Sequence, residues 1–418
     1  MNIYTLIVIS FLLIVYIAET IADLLNLKNV SNEIPAEFEG YFDKEKYAES
    51  QEYLKVRTKF SLISAAFFMS VQILFIAGGG FDYADKFARS FGFGEIVTGL
   101  IFAGILLLAV EILKIPFSAY STFVIEEKFG FNRTNVKTFI SDLLKGWLVG
   151  AIIGAAVFAA VIWFFIHFGR FAWLYAFAAV AAFELIITFV YPVVIMPLFN
   201  KFVPLEDGEL KTSVENYAKA EGFKMKGLFK MDGSKRSTKS NAFFAGFGKF
   251  RRIVLFDTLI QKHTVEELTS VLAHEMGHFK LGHIIRQMVF GFATMALMFF
   301  LLSLFIKSPW LFEAFKMQNH SVYAGIIFFG FLYAPISLVI GIISSRLSRK
   351  HEYEADSYAV TTYKNPEAMI NALKKLSVDN LSNLHPHPFK VFTEYSHPPV
   401  LERINAIRKI NATEKTNG

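Results

Sequence analysis

The chain has 418 residues, of which 54% are hydrophobic, a formal net charge of +6 and no cysteine. A composition this apolar excludes an ordinary soluble enzyme, and the lack of cysteine excludes disulfides and thiolate metal ligands. The basic residues collect in alternate segments between apolar blocks, which is typical of a protein oriented in a lipid bilayer and not of one that binds nucleic acid.

Seven apolar blocks are long enough to cross a bilayer as helices. No Lys or Arg precedes the first block and no small-residue cleavage site follows it, so we expect it to be a retained helix with its N-terminus outside. The predicted spans are residues 3–21, 60–79, 96–113, 147–168, 171–192, 284–306 and 323–343.

The segments after the first, third and fifth spans, and the tail after the seventh, are rich in Lys and Arg, whereas the others are poor. Because basic segments stay in the cytoplasm, this alternation predicts an N-terminus outside or in a lumen and a cytoplasmic C-terminus. A bacterial inner membrane and the endoplasmic reticulum both fit. The chain divides into residues 1–196 with spans one to five, a cytoplasmic segment 197–283, spans six and seven in 284–343, and a C-terminal cytoplasmic part 344–418.

Three charged residues lie within or beside the spans: Glu111, Lys114 and Glu184. Charges are costly in lipid and normally face protein or water. They fit a water-filled chamber, and they equally fit an ion pair between helices. We assign them no catalytic role.

The cytoplasmic segment between spans five and six contains a predicted helix over 210–221 and two β-leaning runs. The runs, 240–246 and 252–257, are separated by the turn-like Gly246-Phe247-Gly248-Lys249, which predicts a hairpin.

The most informative motif follows the hairpin: His274-Glu275-Met276-Gly277-His278. Thr264 and Glu267 form a capping-box pattern, so the motif is predicted to lie on a helix. Two His at i and i+4 share one helix face and can bind one zinc ion, with Glu275 as general base. A pair of core or surface histidines would give the same spacing. The small Gly277 could let another group approach the metal closely.

A catalytic zinc needs a third protein ligand. The best candidate is Glu352, with Asp356 one helical turn later to orient a ligand histidine. Taken alone, Glu352 would be an exposed helical carboxylate. Glu354 is expected to point elsewhere, into solvent.

Beyond span seven, the helix is predicted to continue over 346–360, and a further helix begins at Asn365-Pro366 and runs to about 377. A loop with His385 and His387 comes next. A last helix begins after Ser396-His397-Pro398-Pro399 and runs to about 410, before a frayed polar tail.

These blocks together resemble the integral-membrane CAAX prenyl endopeptidases, zinc metalloproteases of the gluzincin type, over nearly the whole chain. The resemblance is carried by several blocks in the family's order. They are Pro35 to Gly40 with Lys46-Tyr47 and Ser50-Gln51, Ser240 to Phe243, Gly246 to Gly248, Arg252 to Leu259, the zinc motif, Glu352 to Asp356, and Tyr395 to Arg403.

The resemblance implies roles that the residues alone do not give. His274, His278 and Glu352 would bind one Zn²⁺ per chain, and Glu275 would be the base. Asp356 would support the ligands or donate a proton, and His397 would stabilise the oxyanion. The implied substrate-binding residues are Asn241, Ala242, Phe243 and Arg403, of which Arg403 would also support the site. The implied fold is mostly α, a seven-transmembrane-helix barrel enclosing a chamber, with a cytoplasmic zinc metalloprotease domain containing a small β-hairpin or sheet.

The strand at Asn241 could also bind an extended peptide by β-augmentation, although a plain structural hairpin would look the same in sequence. Three functions are compatible with these features. The first is a zinc endopeptidase that cuts near the C-terminus of CAAX-type, prenylated proteins. The second is a quality-control protease for membrane proteins without prenyl specificity, and the third is a transporter or scaffold with an incidental motif.

Overall fold

In the computed structural model of the protein, the described residues are 2–225, 227–245 and 252–417. The predicted turn at Gly246-Phe247-Gly248-Lys249 lies outside them. The helices are α1 (Ile3–Lys28), α2 (Lys44–Ala77), α3 (Gly80–Arg89), α4 (Glu95–Tyr120), α5 (Val136–His167), α6 (Ala172–Val190), α7 (Met196–Phe199), α8 (Glu209–Ala220), α9 (Asp257–Lys262), α10 (Val265–Lys280), α11 (His283–Phe305), α12 (Pro309–Ala314), α13 (Val322–Tyr363), α14 (Pro366–Asp379), α15 (Pro388–Glu394) and α16 (Val400–Asn417).

All seven predicted spans are helices, and each is long and apolar enough to cross a membrane. They are α1, α2, α4, α5, α6, α11 and α13. Most are longer than predicted, because polar flanking residues extend them beyond the apolar blocks. A single helix, α2, extends the second span back to Lys44, and Asp43 caps its N-terminus. The chain continues beyond α4 and α6 as π-helical turns over Ser121–Glu126 and Tyr191–Ile195.

The long helices join two differently built ends. The polar end consists of α8 to α10, α14 to α16 and a small sheet. It is tied to the long helices by ion pairs, such as Lys390 Nζ to Asp23 at 2.7 Å and Arg236 to Asp142 at 2.6 Å. The opposite end consists of α3, α12 and an aromatic core, in which Phe315 and Phe328 stack with their centroids 4.0 Å apart.

The sheet has four strands: β1 (Phe202–Pro204), β2 (Gly227–Met231), β3 (Ala242–Ala245) and β4 (Arg252–Phe256). Their order is β1-β2-β4-β3, with β2 parallel to β4 and the other pairs antiparallel. The predicted pairing of the two runs is confirmed as β3 with β4. The sequence analysis missed β2, and it missed β1, which is only three residues long and ends in a proline.

Close packing of α10 against α13 sets up the polar end. A Cβ atom on Gly277 would lie 3.2 Å from both the Cα and the carbonyl oxygen of Ala355. Glycine therefore lets α13 approach the motif helix closely. The group that the small Gly277 lets approach is this second helix, α13. Ala355 lies between Glu352 and Asp356, so this approach brings both carboxylates to the two histidines.

Candidate metal centre

The motif helix begins as the sequence predicted. Thr264 accepts a hydrogen bond from the Glu267 amide, and the Glu267 carboxylate accepts one from the Thr264 amide. This capping box fixes the start of α10. His274 and His278, ten and fourteen residues after Thr264, then lie on one face, with their Nε2 atoms 3.2 Å apart.

Glu352 on α13 completes a compact triad. Its Oε2 lies 3.5 Å from His274 Nε2, and its Oε1 lies 3.2 Å from His278 Nε2. Ligands about 2.0–2.2 Å from a tetrahedral zinc are separated from one another by roughly 3.4 Å, so the distances between the three side chains are suitable. Glu352 Oε2 is buried and accepts no hydrogen bond from the described residues. Two imidazoles and a carboxylate therefore fit a zinc ion that leaves further positions open.

Buried charges support His274. Its Nδ1 lies 2.8 Å from Asp356 Oδ1, and Asp356 in turn accepts a two-pronged interaction from Arg403, at 2.8 Å from Nε and 2.6 Å from Nη2. Arg403 Nη1 also lies 3.3 Å from Glu352 Oε2. Asp356 accepts the proton on Nδ1, so Nε2 is the nitrogen that faces the triad and would bind a metal once unprotonated.

The electrostatics of this site favour a positive charge. Burial lowers the pKa of His274, but the carboxylates of Asp356 and Glu352 outweigh it and raise that pKa to about 9. Burial also opposes the charge on Arg403, and the same two carboxylates together raise its pKa. A cation bound at the triad would benefit from the same carboxylates.

Arg403 is buried against carboxylates and does not line an open groove. Its contacts therefore favour the supporting role over the substrate-binding role, both of which the resemblance implied.

Glu275 is placed differently from the ligands. It lies in the field of His274 and His278, and no hydrogen bond or ion pair holds it within the part of the chain that the structure describes. Burial raises its pKa. A carboxylate without a partner beside the two motif histidines can take up a proton from water, which is the role the motif predicts.

His397 approaches from the open side. It lies between α15 and α16, its side chain is 64% exposed, and its Nε2 lies 3.5 Å from Glu352 Oε1. It also lines a cavity of about 740 Å³ that extends to Tyr53 and Arg57 of α2 and to Tyr16 of α1. The cavity therefore extends from two membrane helices to His397, which lies beside Glu352.

The three residues of the predicted substrate strand lie on or beside β3, at the edge of the sheet. Ala242 pairs with Leu255 and Phe243 with Val254, while Asn241 precedes the strand and is exposed. Asn241 Oδ1 accepts a hydrogen bond from the Ala242 amide. β3 lies next to α10, and its outer edge pairs with no other strand among the described residues. An extended peptide could therefore add there.

Sequence reasoning missed a second histidine cluster. His283, His351 and Glu354 bring their polar atoms within 4.8 Å of one another. Glu354, expected in solvent, is only 32% exposed and lies 2.8 Å from His283 Nε2. Two signals were available in the sequence, a third histidine five residues after His278 and a glutamate two residues after Glu352.

The sequence matches two protein families in succession. Residues 23–201 match the CAAX prenyl protease N-terminal region with five membrane helices, and residues 204–411 match peptidase family M48. The chain is 35% identical to the CAAX prenyl protease 1 homolog of Oryza sativa subsp. japonica, covering 98% of both chains. It is 32% identical to CAAX prenyl protease 1 of Saccharomyces cerevisiae, covering 91% of this chain and 90% of that relative.

The fold is similar to that in the crystal structure of S. mikatae Ste24p, with a TM-score of 0.92 at 31% sequence identity. The match covers 97% of this chain and 99% of the other. It confirms the predicted fold, a mostly helical protein with seven membrane helices around a chamber and a small sheet.

Proposed function

The chain belongs to peptidase family M48 and to the CAAX prenyl proteases within it, and on that premise we propose that it is a zinc endopeptidase that cuts prenylated proteins near their C-terminus. Membership of the family makes the protein a membrane metalloendopeptidase. The choice of zinc, the residue roles, the substrate and the orientation are our proposals.

The observation that carries the proposal is the triad with ligand atoms 3.2–3.5 Å apart. His274, His278 and Glu352 would hold one zinc ion per chain. When bound, zinc supplies a Lewis acid that lowers the pKa of water to about 7 and polarises a peptide carbonyl.

The protein's own groups would move the protons. Glu275 takes a proton from the water that attacks the peptide carbonyl, and it later gives that proton to the nitrogen of the leaving amine. The C–N bond breaks, the second proton of the water also passes to the leaving nitrogen, a carboxylate and an ammonium group form, and Glu275 returns to its carboxylate state. His397, on the open side of Glu352, would donate a hydrogen bond to the oxygen that becomes negatively charged. Asp356 and Arg403 would keep His274 in place.

The surroundings suit a substrate that comes from a membrane. The free edge of β3 would bind the peptide as an added strand through Asn241, Ala242 and Phe243. The cavity beside His397 reaches α1 and α2, so a lipid group could lie among the membrane helices while the peptide lies at the triad. The partners are thus a peptide or protein substrate and the lipid bilayer, and we place the polar end in the cytoplasm from the distribution of basic residues.

The test compares two peptides of one sequence, a farnesylated CAAX peptide and its unprenylated form, with zinc-loaded protein in detergent or liposomes. We expect cleavage of the farnesylated peptide with kcat/KM at least about tenfold higher, since about 0.8 kcal/mol is gained per buried CH₂ group. Equal cleavage of both would favour the quality-control protease instead. No cleavage of either would contradict the proposal.

A further inference from the structure

The two zinc-motif histidines are supported in different ways. The Nδ1 of His274 lies against a carboxylate, Asp356. The Nδ1 of His278 lies 3.1 Å from the Nδ1 of another histidine, His283. Two ring nitrogens can form a hydrogen bond only if one of them donates and the other accepts, so the position of the proton must be decided.

The contacts of His278 with the triad and of His283 with Glu354 determine where the protons lie. His278 presents Nε2 to the triad, so its single proton in the neutral form lies on Nδ1, which donates to His283. His283 then accepts at Nδ1 and carries its own proton on Nε2. That atom lies 2.8 Å from Glu354 Oε2, which can only accept when ionised. Every donor in the series has an acceptor.

We propose that His283 and Glu354 are positioning residues that hold His278 in the tautomer and orientation needed to bind the metal. The inference rests on the proposed metal centre and adds to it a support for the second histidine. Glu354 fixes the proton of His283, and His283 fixes that of His278. Both residues act through His278, and no hydrogen bond or ion pair joins either of them to Glu352 in the described part of the chain.

The fold builds this series at the junction of two helices. Gly282 has a left-handed backbone, with φ +71°, and ends the motif helix so that His283 can begin α11. His283 is 1% exposed. Glu354 is on α13, two residues beyond the third proposed ligand. The start of the sixth membrane span is therefore linked directly to the proposed metal centre.

A second cation held by His283, His351 and Glu354 is the competing interpretation, and the contacts disfavour it. The His283 and His351 rings stack, with centroids 4.1 Å apart and an interplanar angle of 11°, so their in-plane lone pairs run parallel and do not converge. Glu354 already has two cationic neighbours, Arg286 Nη1 at 3.5 Å and Lys350 Nζ at 3.7 Å. These contacts favour hydrogen bonding.

The experiment measures zinc affinity by competition with a chromogenic chelator, and zinc stoichiometry by elemental analysis, on the full chain in detergent. His283→Phe keeps a ring that can stack on His351 but removes the acceptor. His283→Asn keeps an acceptor, because its Oδ1 can occupy the place of Nδ1. His320→Phe is the matched control, since His320 also stacks on a ring, that of Phe312, but at the opposite end of the molecule.

We expect wild type and all variants to bind one zinc per chain. His283→Phe should weaken zinc binding by about 10–100-fold, the usual effect of removing a group that orients a metal ligand. His283→Asn should stay within about threefold of wild type, and His320→Phe should not change. The thermal unfolding temperature of each metal-free variant shows whether the variant is misfolded. His283→Asn gives a second check, because it would not restore zinc affinity if the loss came only from the missing imidazole ring.

Three results would overturn the inference. They are zinc affinity of His283→Phe within about threefold of wild type, an equal loss in His283→Asn, and two zinc ions in wild type that fall to one in His283→Phe. The third result would establish the second cation site instead. Absence of any zinc from the wild-type protein would contradict the proposed function, and this outcome differs from all three.

Discussion

The membrane helices and the polar end of this protein are packed in different ways. Only 6–28% of the residues in the seven spanning windows are buried inside the protein, and α2 and α6 have the lowest share, 6% each. By contrast, α10 buries most of its 16 residues between α8, α13 and α14. A spanning helix satisfies its own backbone hydrogen bonds, so length and apolar side chains are enough for it. The polar end instead depends on contacts between particular side chains, and the proposed chemistry lies there.

The strongest test of this contrast is Glu275→Gln. We expect kcat/KM to fall by about 10²–10⁴-fold, because the variant loses the group that takes up the proton. Zinc should stay bound, since Glu275 is not one of the three proposed ligands. Glu266→Gln, on the exposed side of the same helix, is the control and should retain full activity. Activity of Glu275→Gln within tenfold of wild type would show that proton transfer occurs elsewhere.

Removing the buried positive charge of Arg403 at the polar end should make the protein less stable. Arg403→Met leaves Asp356 and Glu352 buried without their partner, which should lower the free energy of unfolding by about 3–5 kcal/mol. Chemical denaturation in detergent measures this. Arg408→Met is the matched control on the same helix. Arg408 is 49% exposed and pairs with Glu37, so its loss should cost less than about 1 kcal/mol. Equal losses for both variants would contradict the buried network.

A change at the opposite end should affect stability alone. Ile76→Val removes one methyl group from a side chain that is 0% exposed, which should cost about 0.5–1.5 kcal/mol. Zinc affinity and kcat/KM at low temperature should match wild type. Ile63→Val on the same helix, where Ile63 is 63% exposed, should leave stability unchanged. A loss of zinc affinity in Ile76→Val would show that the two ends are coupled.

The exposure of the spans can be tested without disturbing the fold. The chain has no cysteine, so a single introduced thiol can be labelled without background. Glu184 is exposed within α6 and forms no ion pair among the described residues, and Ile186 lies on a different side of the helix. We expect a water-soluble maleimide to label Glu184→Cys in liposomes and Ile186→Cys much less. Equal labelling would mean that Glu184 does not face a water-filled space.

The other intramembrane charges agree with this interpretation. Glu111 and Lys114 pair within one helix at 2.9 Å and are 38% and 54% exposed. Trp147 of α5 donates to Glu111 as well, at 3.2 Å. The pair does not bridge two helices, and such exposed charges are far more stable beside water than beside lipid. Of the two possibilities that the sequence left open, this geometry favours the chamber.

The sequence predicted the local features well. Spans depend on apolar length, the start of α10 depends on Thr264 and Glu267, and the i, i+4 spacing puts His274 and His278 on one face. Each of these is determined within a few turns of one helix. The pairing of β3 with β4 was accessible for the same reason, since the two runs are close in sequence.

The missed features depend on contacts between distant segments. β2 pairs directly with β4 although β3 lies between them in the sequence, and no local pattern specifies that order. Gly277 is informative only once Ala355 is known to pack on it. Glu354 has the composition of a solvated residue, and its position on His283 follows from the packing of α13 against the start of α11. Such features require the tertiary structure.

Because α13 is one continuous helix, its length sets the distance between the bilayer and the proposed metal centre. Its 42 residues extend for about 63 Å, roughly twice the thickness of a hydrocarbon core. Glu352 lies nine residues beyond Ile343, where the apolar block ends, which is about 14 Å along the helix axis. That distance corresponds to about four residues of extended peptide. On the proposed function, a lipid attached next to the scissile bond would lie beyond the surrounding bilayer during cleavage and would enter the space between the helices instead.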